Sequence, residues 1–183
     1  MNSAIKKGLI IGRFQPFHNE HLEYALAAKE ECDYLWIGLS QFLPDSANAA
    51  TADDHRFDPK SNPLKYCERY TIISDAVVEA GIKRDEFGII PCPIDTPERV
   101  PEIVPDDTIC YITVNEPWGE TKVSSLQKIG YEVVVLWERP KKIASTVIRE
   151  AIIKNDPSWK DSVPPSVVEN LENLGFRERL QRL

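Results

Sequence analysis

The sequence predicts an α/β protein built on a doubly wound parallel sheet, and two patterns carry that expectation. Five short apolar runs are continuous rather than alternating, as strands covered on both faces must be. Segments with helical spacing lie between them, so strand and helix alternate along the chain. Size agrees: 183 residues with 42% hydrophobic side chains can bury a full core. The chain therefore reads as a single domain over residues 1–183.

The runs are Gly8–Ile11, Tyr34–Leu39, Phe87–Cys92, Thr108–Val114 and Glu132–Trp137. After the first, "HLEYALAAKEEC" sets Leu22, Ala25, Leu26 and Lys29 at helical spacing, a mainly apolar stripe closed by one Lys. After the second, residues Gln41 to Pro63 show no period, and unstructured stretches longer than ~12–15 residues are usually functional or mobile. "KYCERYTIISDAVVEAG" then puts Tyr66, Tyr70, Ile73, Val77 and Ala80 on one helix face and ends at Gly81, a natural C′ residue. "PWGETKVSSLQKIG" and "STVIREAIIKND" read as two more helices. The tail from Ser162 reads as one helix started by Pro164, Pro165 and Ser166, with Val167, Val168, Leu171 and Leu174 apolar. It offers a surface to the sheet or to a neighbouring subunit.

Composition narrows the function. A net charge of −7 and a pI near 5.1 argue against a general nucleic-acid surface. Cys32, Cys67, Cys92 and Cys110 form no CxxC pair, and Cys92 and Cys110 sit in apolar runs as small hydrophobes, so neither a disulfide framework nor a zinc site is expected. "MNSAIKKGLIIGRF" breaks its apolar run at Gly12 and Arg13, unlike a signal peptide, and no run approaches the ~18–20 residues of a membrane span. A cytoplasmic protein without a membrane partner is expected.

The stretch "GRFQPFHNEH", Gly12 to His21, follows the first strand. Ligands of such sheets bind beyond the C-terminal strand ends, and a helix start there offers free N–H groups and partial positive charge to phosphate. His18 and His21 lie one turn apart and would face the same ligand, their N–H groups following charge that builds up in a transition state. Gly12 would let the backbone pass close to a nucleotide. The spacing is not that of the zinc proteases, and with His55 the only other histidine a metal site is poorly supplied. Spacing alone fits a solvated helix start as well as a phosphate site.

The same stretch resembles the GRFQPxHxGH signature of the HxGH nucleotidyltransferase superfamily (cytidylyltransferase-like), most of all its archaeal-type nicotinamide-nucleotide adenylyltransferases. "IASTVIREAI", Ile143 to Ile152, resembles that family's ISxTxIR motif, and "NPLKYCERYTII", from Asn62, its NPFTxxER segment. The resemblance implies a Rossmann-like five-stranded sheet with helices on both faces and a C-terminal helix. It implies Mg²⁺-dependent transfer of a nucleotidyl group to a phosphate- or phosphonate-bearing acceptor with release of pyrophosphate, nicotinamide mononucleotide being one candidate acceptor. The attack is direct, so catalysis is mainly positioning and charge stabilisation. Mg²⁺ would be bound mainly through the triphosphate, with no metal ligands from the protein. By match, His18, His21 and Arg149 are catalytic, while Gly12, Arg13, Phe14, His18, His21, Ser145, Thr146 and Arg149 bind the nucleotide. Relatives form multimers, so a homo-oligomer is expected. Arg149, which the RTEGISTS motif of cytidylyltransferases lacks, favours ATP over CTP. Arg139 is shared with that cytidylyl pattern, and a CTP-dependent enzyme is the alternative. A catalytically silent nucleotide-binding regulator is the alternative of another class.

Departures from the pattern fall mostly on the acceptor side. Glu20 stands where the signature has Gly, and its carboxylate could crowd a nucleotide or turn to solvent. Ala144 replaces a frequent Ser. Where relatives place an aromatic before a Val-Pro pair, "TPERVPEIVP" offers Arg99 and Glu102. Asn115 keeps the Asn of a Gly-Asn pair, Trp118 could stack an acceptor ring, and "DDHRFD" brings His55 and Arg56. The acceptor set is thus Arg13, Asn62, Arg99, Asn115, Trp118, His55 and Arg56, and it points away from nicotinamide mononucleotide.

Overall fold

A computed structural model describes residues 5–43, 58–115 and 117–183; His55 and Arg56 lie outside them. The strands are β1 (Lys7–Gly12), β2 (Tyr34–Leu39), β3 (Phe87–Pro91), β4 (Thr108–Val114) and β5 (Val133–Glu138). The helices are α1 (Asn19–Glu30), α2 (Tyr66–Glu79), α3 (Pro117–Lys128), α4 (Ser145–Ile153), α5 (Pro165–Asn173) and α6 (Phe176–Arg182). The described residues form two compact units, one of 5–12, 23–40, 82–115 and 117–142, the other of 13–22, 41–43, 58–81 and 143–183.

The first unit holds the sheet. All five strands are parallel in the order β3-β2-β1-β4-β5, and Leu9 lies opposite Trp36 on one side and Cys110 on the other. The order turns round at β1, which makes the sheet doubly wound. Each strand lies within one residue of the apolar run that predicted it. Leu9, Ile11, Cys92, Val100, Cys110 and Ile112 are fully buried in one cluster with Leu126 of α3 and Tyr131. Burial pushes the Cys92 and Cys110 thiols up to about 12, so they behave as the small hydrophobes expected. α3 starts very close to the end of β4: a Cβ on Gly119 would stand 2.9 Å from the Val114 Cα, so only glycine fits. On α1, only Ala25 of the expected stripe is fully buried. Tyr24 and Ala28 complete the buried face, and the Tyr24 hydroxyl donates to the Tyr111 carbonyl.

The second unit is helical. α2 buries Arg69, Ile72, Ile73, Ala76 and Val77, whereas Tyr70 is 46% exposed. The face is turned from the expected one because an arginine takes a core position and a tyrosine does not. The helix ends as expected, with Gly81 at φ +97°. The tail is two helices rather than one, since Gly175 takes a left-handed conformation (φ +58°) between α5 and α6. Both tail helices are tied to α2. The Asn170 amide donates to the Asp75 carboxylate (3.1 Å), and Ser166 donates its N–H and hydroxyl to Glu79 (3.1 and 2.7 Å). Arg179 of α6 makes a fork of two bonds to Glu68 (2.6 and 2.8 Å).

Arg179 holds the Glu68 carboxyl below the usual glutamate range, outweighing burial. A depressed folded-state pKa contributes stability above the unfolded value and loses it as pH falls through the folded one. Glu68→Gln should cost about 2 kcal/mol at neutral pH. Urea unfolding of both proteins should show that difference shrinking below pH ~4.3, the ordinary glutamate value; a difference independent of pH would contradict the pairing.

Candidate active site

The chain leaves β1 at the half-buried Gly12 and turns at once. Phe14 is buried with φ +53°, in the left-handed region, and the Gln15–Pro16 peptide is cis. A bulky residue in that region costs about 1–3 kcal/mol and persists only where its surroundings hold it. Here they do. The buried Gln15 amide donates to the Leu64 carbonyl (3.0 Å) and accepts from the Leu64 N–H (2.9 Å). Arg69, 1% exposed, donates to the carbonyls of Arg13 and Gln41, both at 2.8 Å. Gln41 is itself left-handed (φ +50°), so one guanidinium braces both unusual turns. Burial pushes the Arg69 pKa down to about 10, which leaves it charged at neutral pH and its bonds charge-assisted. Sequence reasoning matched the segment but missed this residue's part, because an arginine at helical spacing reads as surface.

His18 caps the start of α1, its carbonyl accepting from the Leu22 N–H (3.0 Å). The His18 and His21 rings stack, with centroids 3.5 Å apart and planes 17° from parallel. The His18 N–H donates to His21 Nδ1 at 3.3 Å. A backbone N–H can only donate, so His21 Nδ1 accepts and its Nε2 carries the proton. The Phe14 ring meets His21 edge-on at 4.9 Å, and the Phe17 ring lies tilted at 5.7 Å. Phe14, expected at the nucleotide, is thus buried as part of the seat that fixes the His21 ring.

The second motif meets the first. No side chain caps α4 at Ala144, which leaves its first N–H groups to other partners. Arg149 donates to the Gln15 carbonyl (2.7 Å) and to the Thr146 hydroxyl (3.3 Å), and the Ser145 hydroxyl donates to the Pro16 carbonyl (3.3 Å). The half-buried Glu20 carboxylate accepts the Ile143 N–H at 2.8 Å, so the acidic departure from the signature is turned toward the approach to α4 rather than wholly to solvent. Burial and then the neighbouring Arg13 cation lower the Arg149 pKa, with Asp58 and Glu150 offsetting in part. Two guanidiniums that repel each other beside a helix start make a seat for a polyanion. His21 adds an oriented N–H donor.

Arg13, Phe14, His18, His21, Ser145, Thr146 and Arg149 are therefore gathered in one unit. Asn62 is in the same unit, donating to the Asp58 carbonyl at 3.2 Å. Gly12, Arg99, Asn115 and Trp118 belong to the sheet unit. There the Arg99 side chain is 63% exposed and pairs with Glu102 (3.3 Å). The Asn115 amide donates to the Thr113 hydroxyl (3.4 Å), and Trp118 is half-buried in the first turn of α3. Arg139 of that unit pairs with Glu23 and lies 4.6 Å over the Trp137 ring.

The doubly wound parallel sheet is a Rossmann-like fold, and the two motifs meet within the other unit. The chain belongs to the cytidylyltransferase-like family, whose model matches residues 9–151. It is 35% identical to the phosphonoformate cytidylyltransferase of Streptomyces viridochromogenes, over 95% of each chain. It is 31% identical to the nicotinamide-nucleotide adenylyltransferase of Pyrobaculum aerophilum, over 97% of this chain and 93% of that one. Among solved structures it resembles a bifunctional NMN adenylyltransferase/ADP ribose pyrophosphatase from Francisella tularensis, with a TM-score of 0.71 and 17% identity. That match covers 98% of this chain and 52% of the other, so the chain spans about half of that protein. The chain is a nucleotidyltransferase. Among the described residues no helix is long and apolar enough to cross a membrane.

Proposed function

We propose that the chain transfers a nucleotidyl group from CTP to a phosphonate or phosphate oxygen of a small anionic acceptor, with release of pyrophosphate. The observation that carries the reading is the meeting of the two motifs, where Arg149 and Ser145 of α4 donate to the Gln15 and Pro16 carbonyls of the turn that also bears Arg13 and leads into an oriented His21. The acceptor oxygen attacks the α-phosphorus, the bond from that phosphorus to the β-phosphate oxygen breaks, and pyrophosphate leaves with the electron pair. The His21 Nε2–H donates to a non-bridging α-phosphoryl oxygen as charge grows there. Arg149 and the first N–H groups of α4 hold the β- and γ-phosphates. In the free protein the Ser145 hydroxyl donates to the Pro16 carbonyl; a bound triphosphate would compete for that donor, and the Ser145 backbone N–H adds a second one.

Arg13 and Arg149 at this seat are cations, and the Ser145 and Thr146 hydroxyls and the His21 Nε2–H are hydrogen-bond donors. Among the described residues no three His, Cys, Asp or Glu come together to hold a metal. Mg²⁺ therefore fits as an ion borne by the triphosphate, where it would neutralise phosphate charge.

Two points support cytidylyl transfer to a phosphonate. Among the described residues the Arg149 guanidinium donates to the Gln15 carbonyl and the Thr146 hydroxyl, in turns that this reading gives to the phosphates, which every triphosphate shares, so Arg149 is compatible with CTP as well as with the ATP it was expected to favour. The relative at 35% identity is named for CTP-type chemistry on phosphonoformate, a small anion, and the exposed Arg99 replaces an aromatic platform for a ring. ATP with nicotinamide mononucleotide is the second reading, favoured by the complete Ser-Thr-x-Ile-Arg motif and by the adenylyltransferase relatives. Pyrophosphate release, measured as kcat/KM for CTP and ATP with phosphonoformate and with nicotinamide mononucleotide, separates them. The first reading expects CTP with phosphonoformate to lead by at least about tenfold, a transition-state difference of ~1.4 kcal/mol. A lead for ATP with nicotinamide mononucleotide overturns it in favour of the second. Triphosphate binding without turnover on any acceptor would mark a silent regulator.

A further inference from the structure

Glu20 occupies the position at which the signature has glycine, yet it makes one of the shorter polar contacts of the site, accepting the Ile143 N–H at 2.8 Å. Ile143 lies two residues before α4, so the contact joins the first turn of α1 to the approach of the second motif. Two other bonds join the turn just before α1 to α4 itself, Arg149 to the Gln15 carbonyl and the Ser145 hydroxyl to the Pro16 carbonyl. Both of those use donors that a triphosphate would compete for. A backbone N–H held by a carboxylate is different, because Glu20 is an acceptor and a polyanion offers it nothing. Its charge also sits well in the first turn of a helix, where the dipole favours an acid.

From this we infer that Glu20 is a positioning residue: its carboxylate clasps the Ile143 N–H and keeps the two phosphate-binding turns in register while the triphosphate draws on Arg149 and Ser145. The inference rests on the proposed nucleotide site, and it gives the Glu of "HNEH" a role that a glycine cannot fill. Glu20 touches neither the triphosphate nor the acceptor in this role. Losing it loosens the seat without removing a group from the chemistry, so the cost falls on triphosphate affinity more than on kcat.

The test compares wild type with Glu20→Ala, which removes the acceptor, and Glu20→Gln, which keeps an oxygen acceptor without the charge. Titration with CTP and with ATP by calorimetry should show Glu20→Ala weakened about tenfold and Glu20→Gln within about threefold of wild type, with saturated kcat of both variants within about threefold, the scale of one charge-assisted hydrogen bond. Amide exchange of Ile143 in the nucleotide-free proteins should be slow in wild type and Glu20→Gln, and fast in Glu20→Ala. Equal or tighter triphosphate binding by Glu20→Ala overturns the role, as does an equal loss in both variants, since the acceptor oxygen would then not be what matters. Failure of wild type to bind either triphosphate sinks the nucleotide reading instead, and is told apart because Ile143 exchange still separates wild type from Glu20→Ala.

Discussion

Replacing His21 with Ala should lower kcat by about 10²–10³ and leave the Kd for triphosphate within about threefold. The expectation follows from how the ring is held. Its Nδ1 is occupied by the His18 N–H, the His18 ring stacks on it and the Phe14 and Phe17 rings flank it, so its one mobile proton is on Nε2, in a fixed direction. A donor fixed before the reaction needs no reorganisation when charge develops on the α-phosphoryl oxygens, and its worth is realised in the transition state rather than in binding. His21→Asn makes a useful second variant, because its side-chain amide can still donate. Single-turnover rates at saturating triphosphate read the effect directly. An unchanged rate in His21→Ala would mean that the stacked pair only supports the start of α1.

Arg149→Ala should act on the other side of the ledger. Loss of a charge-assisted contact to phosphate of about 1.5–3 kcal/mol weakens triphosphate binding by roughly 10–100-fold. Binding of the nucleoside monophosphate, which lacks the β- and γ-phosphates, should hardly change. Arg149→Lys should recover little, because an ammonium cannot span the Gln15 carbonyl, the Thr146 hydroxyl and a phosphate at once. The Arg149 and Arg13 cations repel each other without ligand, so removing one should not destabilise the free protein as a buried ion-pair break would. Calorimetric titrations with CTP, ATP, CMP and AMP on the three proteins settle the matter; equal losses for mono- and triphosphate would place Arg149 away from the β- and γ-phosphates.

The strands were legible because a parallel strand buried on both faces leaves a continuous apolar run, and each of the five runs stands between polar segments. The motifs were legible because each gathers its distinctive residues within about ten consecutive positions, Gly12 to His21 and Ile143 to Ile152. What sequence hid was long-range or contrary to habit. Arg69 is a cation at a core position of α2, satisfied by the Arg13 and Gln41 carbonyls far away in the chain, and no periodicity signals that. Counting Tyr66, Tyr70 and Ala80 on the apolar face and leaving Arg69 off it turned the predicted face of α2. Gly175 was visible in the sequence, but a glycine inside a helical pattern is an ambiguous mark until its φ is known. Glu20 could be noticed as a departure, while its partner, an N–H more than a hundred residues away, could not.

The most direct measurement follows the label from α-³²P-labelled CTP, and from ATP in parallel, in a single turnover with phosphonoformate. Appearance of the label on the acceptor, with one pyrophosphate released per nucleotidyl group transferred and none of the label on acid-precipitated protein, is the result expected of direct transfer at the two-motif seat. Label retained covalently on the protein, or released only as free monophosphate, would contradict it.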